Sequence, residues 1–247
     1  MLNAWRESSW VRRAPALPLL LLPLTGCTGG SSTPTPTPTL TTLSPTTSPT
    51  LSDAEMLQQV ATAAAGSSYA ATYVASQRHP AKSATWRVWR TPVAVRVDVI
   101  VNNAKTTLIV TPRASYSCRA AQHRRTCFRV AKGNQPIPPQ LRLSAEQLFA
   151  DDIDSLATHP SDYRVRYLRP FDPPSPGEKP GTCFDVAPTS RASAPRVEKG
   201  TYCFRGDGLL TSITYPSGSV VHLRSAKVAP PPASSFVPYS SPTPLPR

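Results

Sequence analysis

Five cysteines carry the chemistry most sensitive to spacing in this chain: Cys27, Cys118, Cys127, Cys183 and Cys203. A thiol can be acylated, oxidised to a disulfide, or ionised onto a metal. Zinc sites need close pairs such as C-x-x-C, and none occurs, so no metal site is expected. The histidines His79, His123, His159 and His222 are scattered and form no ligand set. Asp151, Asp152 and Asp154 invite a calcium loop, but a loop starting at Asp152 needs Gly sixth and Glu twelfth. The chain has Ala157 and Tyr163 there. These acids are read instead as the solvated side of a helix. No G-x-S-x-G elbow, P-loop or H-E-x-x-H segment is present. Catalysis and a cofactor are therefore not expected.

The first residues explain why the cysteine count is odd. Arg6, Arg12 and Arg13 precede an apolar run from Ala14 to Leu24. A spanning helix needs about 20 apolar residues, so this shorter run reads as an export signal, 1–26. It ends in Leu24-Thr25-Gly26-Cys27, which resembles the lipobox of bacterial lipoproteins. The resemblance implies cleavage before Cys27 and a diacylglyceryl group on its sulfur. Two acyl chains hold a protein on a bilayer where one gives only marginal binding. The alternative is an ordinary signal followed by an unrelated cysteine. With Cys27 assigned to lipid, four cysteines allow three pairings. Local order favours Cys118–Cys127 and Cys183–Cys203, because the other pairings interlock or nest the two regions. Each bridge would contribute roughly 3 kcal/mol by the loop-entropy account.

Residues 27–50 are Thr- and Pro-rich and cannot build a core, so they read as an extended tether. At about 3 Å per residue it would reach on the order of 70 Å. Residues 229–247 have similar Pro/Ser-rich composition and read as a disordered tail. The folded domain is then 51–228.

Within it, Ser52 and Glu55 form a capping box, and Leu57, Val60, Ala61 and Ala64 recur at helical spacing until Gly66. Period-two strands follow. Val93, Val95, Val97, Val99 and Val101 share one face, while Ala94, Arg96, Asp98, Ile100 and Asn102 share a mostly polar one. Asn102-Asn103 marks a turn into the next strand. A second capping box is read at Ser144–Gln147, with Leu148, Phe149, Ile153 and Leu156 as its stripe. Further strands run from Tyr163 to Arg224, interrupted by surface loops at 170–180 and 188–200. Hairpin-connected strands with helices on one face make an α+β domain.

An N-terminal helix, a meandering sheet, an inserted helix and the terminal run TYCFRGDGLLTSITYPSG together resemble the LolA-like superfamily, in its actinobacterial lipoprotein branch. The resemblance implies a curved antiparallel β-sheet, an open half-barrel with helices packed on its concave face. It also implies a cavity there for acyl chains, lined by Leu57, Val95, Val97, Val99, Leu108, Val110 and Phe149. The same residues could equally fill a core. Trp86 and Trp89 lie three apart in a strand and so face opposite sides.

The formal net charge is +13, and +11 once residues 1–27 are removed. Arg113, Arg119, Arg124, Arg125 and Arg129 cluster around one hairpin. Such a surface favours lipid headgroups or an anionic cell-wall polymer. No recognition-helix or stacking motif is present, so nucleic acid is not an expected partner. The expected protein is a monomer on the extracytoplasmic face of a cell membrane. It is held there by membrane lipids through Cys27, and it binds an acyl-chain or lipid-linked ligand, or else an anionic polymer or partner protein.

Overall fold

A computed structural model describes residues 51–77, 82–121, 124–133, 135–171, 181–190 and 197–244, with side chains of 82, 169–171 excepted. The expected signal and tether, the proposed lipidation site Cys27, most of the 170–180 loop and residues 191–196 of the 188–200 loop lie outside the described residues.

Helix α1, Asp53–Gly66, starts where the capping box places it. The Ser52 hydroxyl accepts from the Glu55 amide at 3.3 Å, and the Glu55 carboxylate accepts from the Ser52 amide at 2.7 Å. Six strands then meander: β1 Tyr69–Gln77, β2 Lys82–Thr91, β3 Ala94–Val101, β4 Ala104–Val110, β5 Ala114–Ala121 and β6 Arg124–Lys132. The β3–β4 turn uses Asn102 and Asn103 at φ 49° and 65°. Asparagine tolerates this left-handed region, and a two-residue turn of that kind matches the twist of a hairpin.

A helical segment follows: α2 Ser144–Gln147, one π turn Leu148–Asp152, and α3 Ile153–Thr158. The expected cap at Ser144 is not made. Leu143 holds the N-cap position and no side chain caps the helix. Ser144 is already helical, and Glu146 turns inward to Arg142 instead. Strands β7 Tyr163–Phe171, β8 Gly181–Pro188, β9 Gly200–Arg205, β10 Leu210–Thr214 and β11 Val220–Lys227 form a second meander.

The two meanders join where β1 pairs with β11, which puts the first strand in the middle of one open sheet. The order is β12-β6-β5-β4-β3-β2-β1-β11-β10-β9-β8-β7, antiparallel except where the short β12, Thr243–Pro244, runs parallel to β6. The helices lie on one face. Leu57, Ala61 and Ala64 of α1 and Phe149, Ile153 and Leu156 of the second segment join Tyr73, Val97, Phe184 and Phe204 in one core. The fold class is thus α+β, as the hairpin pattern implies.

Three devices seat α1. Tyr167 of β7 donates its amide to Asp53 at 2.9 Å. Gly208, at φ +83°, lies so close to the end of α1 that a β-carbon there would stand 2.5 Å from the Ala64 nitrogen. Buried Arg90 of β2 donates to the Ala65 carbonyl at 3.2 Å and to Asp154 of α3 at 3.0 Å. A cation at a helix C-terminus also opposes the helix dipole.

Both disulfides lie on the face away from the helices. Cys118 stands directly opposite Cys127 across β5–β6, and Cys183 opposite Cys203 across β8–β9, each with Cα atoms 4.0 Å apart. Each staples a neighbouring strand pair toward one edge of the sheet. Val93 departs from its expected place on the valine face. It sits in the β2–β3 turn and is 69 % exposed.

The Pro/Ser-rich segment after Ala229 is read from composition as disordered, and here the structure differs. Ala233–Phe236 forms a 3-10 turn, and Thr243–Pro244 pairs with Phe128–Arg129 of β6. Between them, the Ser235 carbonyl accepts from Arg96 of β3 at 2.9 Å, and the Tyr239 ring lies 5.0 Å from the Lys105 ammonium of β4. The segment therefore crosses β3, β4 and β5 to the sheet edge as a strap. Proline removes ladder donors but does not prevent an extended chain from lying flat on a sheet face.

Candidate functional site

Two surfaces bear on function, and the sheet separates them. The first is the apolar layer under the helices. Leu57, Val97, Leu108 and Phe149 are fully buried, Val95 nearly so, and Val99 partly. The Tyr73 and Phe149 rings meet at 5.0 Å, and the Tyr73 hydroxyl donates to the Leu210 carbonyl at 3.0 Å. These large side chains pack the layer as a core. Trp86 packs against this core, and Trp89 lies on the other face, as their spacing requires.

That layer holds an unexpected polar group. Asp152, expected on the solvated side of the helix, is 8 % exposed, and its Oδ1 has no partner among the described residues. Burial first, and the Asp151 charge second, push its carboxyl up to about 7. Glu146, at 2 % exposure, is also raised to about 7 by burial, against the opposing pull of Arg142. Arg142 bridges Glu146 and Asp151. Helical spacing already carries Asp152 on this face, four residues after Leu148 and four before Leu156, so its acidic type rather than its position led to the solvated reading.

The second surface is the face under the strap. Register places Arg87, Arg96, Lys105, Arg125, Arg129 and Lys227 there. Asp98 is buried among them at 2 % exposure. Arg96 donates to its two oxygens at 2.9 and 3.2 Å, Lys105 at 3.2 Å and Thr107 at 2.8 Å. The period-two pattern reads Asp98 as solvent-facing, but the strap closes over it, along with Thr107, Ile109 and Cys118. Arg96 also stacks on Trp89 at 4.9 Å. A hollow of about 160 Å³ opens beside this network, lined by Arg96, Lys105, Ala120, Arg125 and Tyr239. A second, of about 290 Å³, lies between Arg87, Trp89, Thr72 and Lys227.

The arginine cluster is divided by this geometry. Arg125 faces the strap side with Arg129, while Arg119 and Arg124 face the helix side. All four are exposed, and none has a carboxylate partner among the described residues. A signal for the wider basic face was present in the sequence. From Tyr69 to Lys132 there are 12 Lys and Arg and a single acid, Asp98. The strap's contribution, Tyr239, had no such signal beyond being an aromatic in a proline-rich segment.

No protein-family model and no curated sequence matches this chain. Similar solved structures include an uncharacterized conserved protein from Thermus thermophilus. It shares 9% identity over 78% of this chain and 98% of that one, with a TM-score of 0.46. The MucA/MucB complex of Pseudomonas aeruginosa shares 14% identity over 75% of this chain, which spans 60% of the matched chain, with a TM-score of 0.44. A putative outer membrane lipoprotein-sorting protein domain from Vibrio parahaemolyticus shares 10% identity over 70% of this chain and 92% of that one, at a TM-score of 0.23. None of these likenesses assigns a role to a residue. No helix among the described residues is long and apolar enough to cross a membrane.

Proposed function

We propose that this chain is an extracytoplasmic binding module, tethered to the outer leaflet side of a cell membrane through Cys27, that holds an anionic partner without chemistry. One observation carries the choice of partner. The β1–β6 half of the sheet has twelve cations and one carboxylate in its sequence span, and that carboxylate is buried and paired. Arg90 pairs with Asp154 of α3, and Arg87, Arg113, Arg119, Arg124, Arg125, Arg129 and Lys132 have no carboxylate partner among the described residues, so their charge attracts anions at the surface. An anchored, exported protein meets anionic envelope polymers and lipid headgroups within reach of a tether of this length. The test is retention on an isolated anionic envelope polymer. Arg87→Glu with Arg129→Glu, both on the strap face, should lower the salt needed for elution. Unchanged elution sinks the reading.

A second reading places an acyl chain between helices and sheet, and one feature favours it. The helical segment over the core is broken by a π turn that buries the Asp152 carboxyl, whose Oδ1 has no partner among the described residues. Such a segment is less firmly seated than a regular apolar helix, and lifting it would open the layer that Tyr73 and Phe149 fill. Native extraction followed by lipid mass spectrometry tests this, and lipid-free protein removes it.

A further inference from the structure

We infer that the hollow between the strap and β3–β6 is a phosphate-binding site, completed by Tyr239 of the strap. The inference rests on the reading of this face as anion-binding and adds the chemical class and the residues.

The donors decide the class. Arg96 has five N–H groups, of which bonds to Asp98 and to the Ser235 carbonyl engage three. Lys105 gives one of its three to Asp98. Arg125, which lines the same hollow, has no carboxylate partner among the described residues. The Tyr239 ring closes one side of the hollow, and its hydroxyl is buried beside Thr107 without a hydrogen bond of standard geometry among the described residues. Free donors thus come to one space from β3, β4, β6 and the strap. They exceed what the two oxygens of a carboxylate can accept, whereas a phosphate group presents three or more strong acceptors. The charge balance agrees, since three cations against Asp98 leave a surplus of two. Asp98 itself does not line the hollow; it holds Arg96 and Lys105 in place behind it.

Because Tyr239 belongs to the strap, a bound phosphate should also fasten the strap to the sheet. Two readouts follow on the full mature chain. Inorganic phosphate should raise the melting temperature saturably above a chloride control of equal ionic strength, and it should slow limited proteolysis between Ala229 and Thr243. Arg125→Gln and, separately, Tyr239→Phe should each weaken the phosphate response about tenfold, the order expected for one charge-assisted hydrogen bond. Arg125 is exposed, so its variant folds even where a buried change would not. Vesicles of phosphatidylcholine with and without phosphatidylglycerol distinguish the source. Binding to the anionic vesicles that free phosphate competes away points to a headgroup, and absence of vesicle binding with a retained phosphate response points to a soluble phosphate or phosphodiester. No response beyond the chloride control, or an undiminished wild-type response in both variants, overturns the site. If polymer retention still falls with the Arg87 and Arg129 reversals, the broader reading survives without it.

Discussion

Asp152→Asn should stabilise the protein more at alkaline than at acidic pH. The reasoning starts from burial. Asp152 sits under the π turn at 8 % exposure, and its carboxyl is raised from 3.8 to about 7 in the folded chain. An acid raised on folding binds more protons in the native than in the unfolded state between those values, so stability falls as pH rises through that window. At about 1.36 kcal/mol per pH unit of displacement, ionising this one group costs roughly 4 kcal/mol by pH 8. Relaxation of the surrounding helix makes that an upper figure. Asparagine keeps the shape and cannot ionise. Urea unfolding of wild type and variant at pH 5 and pH 8, with disulfides intact, measures the difference. At pH 5 the gap should be only about 1.6 kcal/mol, because the unfolded carboxyl is already ionised there while the folded one is still protonated. At pH 8 the variant should be more stable by about 2–4 kcal/mol. Glu146, displaced in the same direction, leaves a residual slope in the variant. Parallel stability–pH curves for the two proteins would refute the burial of an ionisable group at this position.

Three other outcomes are expected. Gly208→Ala should destabilise by about 2–4 kcal/mol, since its φ of +83° and the 2.5 Å approach to α1 both exclude a β-carbon; chemical denaturation reads this directly. Cys118→Ser with Cys127→Ser should cost roughly 3 kcal/mol, and the loss should appear first as increased amide exchange in β5 and β6 at the sheet edge. If Cys27 carries the proposed lipid, Cys27→Ser should move the protein from the membrane fraction into the medium, read by fractionation and immunoblot.

The local structure was legible wherever one short window contained its own cause. The Ser52–Glu55 box starts α1, and the Asn102-Asn103 pair turns β3 into β4. The alternating valines of β3 mark its core side, with Val95 and Val97 buried as their period implies. The same rules misplaced Ser144 as a cap and Asp152 as solvated. Asp152 falls in the stripe of Leu148, Phe149 and Leu156 by helical spacing, and it was read as solvated because carboxylates are seldom buried.

What the chain alone determined is therefore its class and much of its charge logic. Hairpin-linked strands with two amphipathic helices must bury one sheet face, and a stretch with twelve cations and one acid must present positive charge to water. What only the tertiary structure decided is where that charge gathers and what encloses it. Arg96 and Ser235 are 139 residues apart in sequence, and Lys105 meets Tyr239 only because an extended, proline-rich strap happens to fit across β3 to β6. Such a strap has no periodicity of its own, since it makes few ladder bonds and packs by its contour along a surface that the rest of the fold must first create.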